Sequence, residues 1–258
     1  NKLLARLFNY RFNESYFLDG HSFGNLFITA LERITGDFQK AIREAGKILN
    51  ISGEVIPVTL DNINLVAQLK NGQIIYGESA IDRRKEKNPS KIQKIWIQPK
   101  AKINPLARQA ILAADYIVIG PGDLYTSIIP NLLVSGVTTA LKKSRAKKIF
   151  ITNIMTKKGE TDDFKASDFI ITLEKYLGKK ILDYVLINNS RPDKKRFKKY
   201  KEEGAQFVEP NVDQWGRALV IKKDLLRERG LLRHDPKKLG ITLGEIILAE
   251  KTYGKLIK

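Results

Sequence analysis

The residues best suited to chemistry lie in short polar clusters that each interrupt an apolar run. The first is Tyr116 to Ser127, YIVIGPGDLYTS, where an apolar, mostly β-branched stretch gives way to Gly120, Pro121, Gly122 and Asp123 and then to Tyr125, Thr126 and Ser127. Phosphate offers acceptors only, so hydroxyls and free backbone amides are the groups that hold it. A run without polar alternation reads as a strand buried on both faces, as in a parallel sheet, and a glycine turn at its carboxyl end places the following helix start where anions bind. The bland alternative is a plain reverse turn, the commoner use of Gly-Pro-Gly. No Walker A run is present, and Leu124 and Tyr125 stand where a complete G-x-G-x-x-G needs its third glycine.

Two further clusters follow the same plan. Asn153 and Thr156 lead into Gly159, Glu160 and Thr161 of TKKGETDDF, and a third apolar run stops at Asn188, Asn189 and Ser190. The neighbouring Asp162 and Asp163 suit a metal or a general base, although adjacent acids on a polar loop are mostly solvated. Upstream, His21, Ser22 and Asn25 lie in GHSFGN before an apolar helix. Ser22 or Asn25 caps that helix, or the segment presents a second ring of amides with His21 toward a ligand. Arg233, His234 and Asp235 before Pro236 read as a surface helix start more readily than as a catalytic set. No carboxylate pair and no Ser-His-Asp set can be assigned from spacing.

The elements that must position these clusters alternate. Helical spacing predicts helices over 26–34, up to about 49, 105–114, 128–143, 166–177 and 194–203, a closing helix over 243–257, and a helix tail over 1–12. Buried strands are predicted over 116–119, 148–155 and 184–187, with edge strands over 206–208 and 218–221. If the sheet is parallel, its three polar reversals leave from one edge and build one cleft. Between 53 and 99 the texture changes to short strands, at 55–58, 64–69, 74–76 and 92–98, with Asn71-Gly72 predicting a type I′ hairpin and 82–91 an exposed, mobile loop. The expectation is therefore one α/β domain over 1–258 with a mainly parallel sheet and an antiparallel β patch inserted at 53–99.

The totals bound the partners. A chain of 258 residues can build a substantial core. It has no apolar run of about 18 residues, so no membrane span is expected. It has no cysteine, which excludes disulfides, thiolate metal sites and a cysteine nucleophile, and suits a cytoplasmic protein. The formal charge of +18 favours small anionic ligands over nucleic acid, because the basic runs lack interleaved aromatics and no nucleic-acid module is evident. A homodimer is the base-rate expectation for such a fold. The chain opens on Asn1 without a signal peptide, and an upstream piece is expected to precede it.

At this point GPGDLYTSIIPNLLVSGV followed by ITNIMTKKGETDDFKASDF closely resembles the signature of the bacterial gluconeogenesis factor family, a CofD-like family related to the 2-phospho-L-lactate transferases of deazaflavin cofactor biosynthesis. The likeness extends to LFNYRFN, GHSFGNLFITALERITGDF, ISGEVIPVT, GES, LINNSRPD and RHD. It implies a Rossmann-like three-layer α/β/α fold, a cytoplasmic location and a nucleotide-type ligand, most of all a UDP-sugar such as UDP-N-acetylglucosamine. It also implies a role in morphogenesis and peptidoglycan supply on gluconeogenic carbon sources, with no reaction assigned. The transferase relatives use magnesium and a guanosine-nucleotide donor. Carried over, the resemblance makes Gly120, Pro121, Gly122 and Asp123 the ligand turn, with Thr126 and Ser127 donating to phosphate or sugar oxygens. It makes Asn188 and Asn189 readers of a base edge, such as that of uracil, or of a ribose, with a simple turn as the alternative, Tyr200 a nucleotide-sugar contact, and Asn153, Thr156, Glu160 and Thr161 the rest of the cleft. A glycine-rich strand turn and an acidic loop that open other family members are not in this sequence.

Overall fold

A computed structural model of the chain describes residues 2–13, 18–84 and 89–253. The chain divides into two compact units, residues 1–61 with 102–107, and residues 62–101 with 108–258. The first unit holds α1 (Lys2–Phe8), α2 (Phe23–Thr35) and α3 (Phe38–Ile48). Ser22 caps α2, accepting from the Asn25 amide at 3.2 Å, and Asp37 caps α3. The strand predicted over 55–58 does not form. That segment is irregular, and its carbonyls at Pro57 and Val58 accept instead from the side chain and amide of Asn104.

The second unit contains two sheets. The antiparallel one joins β1 (Asn64–Leu69), β2 (Ile74–Tyr76) and β3 (Ile92–Gln98) in the order β2-β1-β3. Its hairpin is not type I′: Gly72 alone takes a left-handed φ, 89°, and the Gly72 amide closes on the Leu69 carbonyl while the Leu69 amide donates to Gln73. That is the longer connection with glycine in the left-handed place, which Asn71 does not share. A short helix, α4 (Glu78–Asp82), follows β2. The segment read as mobile is anchored at both ends by Asp82, Arg84 and Lys91, while 85–88 lie outside the described residues.

The other sheet is parallel throughout, in the order β4 (Tyr116–Ile119), β5 (Lys147–Ile151), β6 (Tyr184–Asn188), β7 (Leu219–Lys223). Helices flank it: α5 (Pro105–Ala113), α6 (Ile129–Leu133), α7 (Val137–Lys143), α8 (Ala166–Leu177), α9 (Lys194–Glu202) and α10 (Pro236–Tyr253). One sheet face packs Ile149, Ile151 and Leu186 against Leu225 and Ile246 of α10, with Tyr116 and Tyr184 at the border. The architecture is the expected α/β fold with a parallel sheet and an antiparallel patch. Several details differ. β5 ends at Ile151 rather than 155, and the closing helix begins at Pro236 rather than 243. β4 is an edge strand among the described residues, and Val118 is 43% exposed, so it is not buried on both faces. The helix expected over 128–143 is broken at 134–136, where Gly136 takes φ 99°. The stretch 206–208 contributes only a single bridge, Phe207 to Met155.

Candidate functional site

Because all four strands run the same way, the reversals after β4, β5 and β6 leave from one edge of the sheet. After β4, Gly120 adopts φ 82° and a cis bond leads to Pro121. A side chain at Gly120 would place its Cβ 3.1 Å from the Ile151 carbonyl oxygen and 3.2 Å from Ile128, so the turn lies directly against the end of β5. A π-helical turn over Leu124–Ile128 follows, with the amides of both Ser127 and Ile128 donating to the Asp123 carbonyl. The first amides of such a turn have no partner within it. Ser127 is exposed there. Tyr125 is buried, and that burial pushes its hydroxyl up to about 12, so it stays neutral and bonded to Thr172.

The loop after β5 is pinned to this turn by Lys157. Its Nζ contacts Asp82 of α4, lies 2.7 Å from Asp123 Oδ2 and 3.0 Å from Glu160 Oε1. The Asp123 carboxylate is thus turned to an ammonium. Burial alone would pull the Lys157 pKa down, but Glu160, Asp123 and Asp82 hold it above the ordinary lysine range. Glu160 is 2% exposed, and burial raises its carboxyl to about 7 despite Lys157. The Lys157 ammonium pairs with Oε1, and Oε2 is enclosed without a partner. Gly159 takes φ 81°, its carbonyl accepts from Arg84, and its amide donates to Asp162 at 2.7 Å. Thr161 Oγ1 accepts from the Lys157 amide, and Thr156 Oγ1 from the Gln206 amide. Gly159, Thr156 and Thr161 therefore shape the loop with groups already engaged.

Open hydrogen-bonding capacity lies elsewhere on the rim. Thr126 Oγ1, Asn153 Oδ1 and His234 Nε2 are enclosed without a partner. The His234 ring is bonded to the backbone of Thr152, one residue past β5, and burial lowers its pKa to about 4, leaving a neutral imidazole. Asp235 next to it caps α10, accepting from the amides of Lys237 and Lys238. The Arg-His-Asp cluster is thus a helix start whose histidine is set into the sheet edge. Lys157 is the residue that sequence reasoning passed over, because it stands unremarked in the polar turn TKKGETDDF, whereas His234 was weighed only as part of a helix start.

After β6, the Asn188 side chain is spent within the fold, accepting from the Leu225 amide at 3.0 Å and donating to the Ser190 carbonyl at 2.8 Å. Asn189 is exposed. Tyr200 is half-buried against the Ile154, Met155 and Phe207 cluster, and its hydroxyl accepts from the Leu232 amide at 3.0 Å. His21, Ser22 and Asn25 belong to the first unit, where Ser22 and Asn25 serve the cap of α2.

The magnesium that the resemblance implies for the transferases finds no fit among the described residues. No group of three or more carboxylates or imidazoles there is arranged to hold a metal ion, and the carboxylates that converge do so on Lys157. No described helix is long and apolar enough to cross a membrane.

A four-stranded parallel sheet with a glycine turn and a polar rim defines a class, and comparison with known proteins gives it a family. The profile described as "2-phospho-L-lactate transferase CofD" matches residues 1–226, and the chain belongs to the CofD family. Within it the chain groups with the gluconeogenesis factors. A relative from Aquifex aeolicus (strain VF5) is 45% identical over 242 residues, covering 92% of this chain and 73% of that protein. The gluconeogenesis factor of Bacillus subtilis (strain 168) is 34% identical over 250 residues, covering 95% and 77%. The crystal structure of protein BH3568 from Bacillus halodurans superposes with a TM-score of 0.86 at 37% identity, covering 94% of this chain and 78% of that one.

Proposed function

We propose that this protein is a cytoplasmic nucleotide-sugar-binding factor, taking a ligand of the UDP-N-acetylglucosamine kind and serving cell-wall supply and morphogenesis during growth on gluconeogenic carbon sources without turning the ligand over. The observation that carries this reading is the set of unpartnered atoms along the ends of β4 and β5: Thr126 Oγ1, Asn153 Oδ1 and His234 Nε2. Asn153 Oδ1 is an acceptor, His234 Nε2 is one in the neutral ring, and the Thr126 hydroxyl can donate or accept, so the first two call for donors. Phosphate has none. Sugar hydroxyls and the imide N–H of a pyrimidine supply them, while the glycine turn beside them suits the phosphates. A ligand with both kinds of group is a nucleotide sugar. The carboxyl nearest to general-base range, Glu160, is enclosed and faces Lys157, which favours binding over turnover.

The test is calorimetric titration with UDP-N-acetylglucosamine, UDP and inorganic phosphate. Saturable binding of the first, weaker binding of the others and no product by mass spectrometry are expected; absence of heat with every uridine nucleotide overturns the reading. The family profile's own description favours a second one, a transferase moving a phospholactyl-type group. Magnesium-dependent product from a nucleotide donor selects that alternative.

A further inference from the structure

Three carboxylates from three separate segments meet on one ammonium. Asp82 ends α4, Asp123 stands in the turn after β4, and Glu160 lies in the loop after β5. The Glu160 side chain is 1% exposed and that of Lys157 28%, while Asp82 and Asp123 are partly open, so the cluster is buried on its Glu160 side and reaches water on the other. The backbone fixes the lysine from below. Its amide donates to Thr161 Oγ1 at 2.9 Å, and its carbonyl accepts from the amides of Glu160 and Thr161 at 3.1 and 2.9 Å. One positive and three negative formal charges leave this spot at −2 in a chain that carries +18 overall.

Carboxylate oxygens gathered from several segments around a point charge are what proteins ordinarily offer to a hard divalent cation. Lysine is the side chain that can stand there, because its ammonium is compact and its donors are not confined to a plane. We propose that Lys157 is a resident cation: its ammonium takes the place of a divalent metal at the ligand turn and locks Asp123 to α4 and to the loop after β5. It is a positioning residue, acting on the Gly120–Ser127 turn through Asp123. A tethered cation cannot dissociate, so the turn stays assembled whatever the divalent-ion concentration. The groups facing Glu160 fit the arrangement: Lys157, Asp123, Asp82 and the Tyr125 hydroxyl. One cation cannot satisfy three acids, and the most buried of them is the one whose carboxyl rises to about 7.

The experiment needs no nucleotide and is independent of the proposed ligand. Lys157→Ala in the full chain is melted in chelator-treated buffer, then with calcium chloride, and with sodium chloride at matched ionic strength. Calcium is the probe because it accepts flexible geometry with oxygens at about 2.3–2.6 Å, a few tenths inside the present 2.7 and 3.0 Å contacts. Uncompensated carboxylates are expected to lower Tm by on the order of 10 °C. Calcium restores at least half of the loss with a saturable dependence, while the wild-type protein does not respond and Lys157→Met, which fills the space, stays low. Recovery of Lys157→Ala no better in calcium than in sodium, or a saturable calcium shift of the wild type, overturns the proposal. If Lys157→Ala does not fold, Glu160→Gln decides. Relieving one of three acids leaves Tm equal to or above wild type at pH 8, and a fall of more than a few degrees refutes the resident-cation reading.

Discussion

Gly120→Ala tests whether the ligand turn is held by backbone geometry and by contact with β5. Two separate costs are visible. A φ of 82° puts an L-residue in the left-handed region, at about 1–2 kcal/mol. The new Cβ would also lie 3.1 Å from the Ile151 carbonyl oxygen and 3.2 Å from Ile128 Cδ1. A backbone oxygen at a strand end cannot step aside as a side-chain tip can, and overpacking of this kind costs about 1–3 kcal/mol. Together they make roughly 2–5 kcal/mol, or a Tm lower by about 5–15 °C for a chain of this size.

Two companions in the same compact unit separate the costs. Gly72 has φ 89° and nothing within 4 Å of the place a Cβ would take, so Gly72→Ala carries the backbone cost alone. Gly122 has no left-handed φ, and its nearest atoms would be 3.4 and 3.6 Å away, so Gly122→Ala carries little of either. Scanning calorimetry should rank the losses as Gly120 above Gly72 above Gly122. Equal losses at Gly120 and Gly72 would mean that the turn does not lean on β5, and the account of the rim would fail there.

Glu160 and His234 titrate in opposite senses. The Glu160 carboxyl rises to about 7 in the fold, so its contribution to stability is fully present below the unfolded value near 4.5 and is lost as pH rises toward 7; wild type should therefore lose ground to Glu160→Gln over pH 5–7 and no further above it. The His234 pKa falls to about 4 from an unfolded value near 6.5, so its contribution is present above 6.5 and lost as pH drops through 4; NMR titration should show the His234 ring neutral at pH 5.5, and His234→Gln should lessen acid sensitivity. Tyr200→Phe removes the acceptor for the Leu232 amide and should cost about 1 kcal/mol in urea unfolding. Asn153→Ala should weaken UDP-N-acetylglucosamine roughly tenfold or more while leaving inorganic phosphate unchanged, read by calorimetry.

The legible parts of the fold are those in which local pattern and burial agree. The helix over 166–177, whose apolar residues keep one helical period, and the antiparallel strands over 64–69 and 92–98 appear with the predicted bounds. The break at 134–136 was hidden for the complementary reason: Ile128 to Val137 keeps helical spacing through Gly136, and only the meeting of both Ser127 and Ile128 amides at Asp123 starts the segment as a wider turn. β4 misled because composition reports how apolar a strand is and not whether a neighbour covers Val118. The glycine turn and the polar ends of β5 and β6 were legible as a rim. Lys157 was not, since its meaning depends on contacts 34 and 75 residues away, and in sequence it is one lysine of two.

The rim divides into a settled half and an unsettled half, and that division bears on how ligand affinity arises. On the settled side Lys157, Thr161, Asp162 and Arg84 consume the groups that would otherwise let the Gly120 turn and the Gly159 loop drift apart. The Gly120 turn and the Gly159 loop are therefore ordered in advance, and in the binding proposed above the entropy of ordering them is not charged against the ligand. On the unsettled side Thr126, Asn153 and His234 hold enclosed atoms with no protein partner. In the nucleotide-sugar binding proposed above, a ligand that reaches them supplies the missing hydrogen bonds, so discrimination comes from its sugar or base end, and loss of a single ligand hydroxyl should be felt more strongly than loss of a phosphate oxygen.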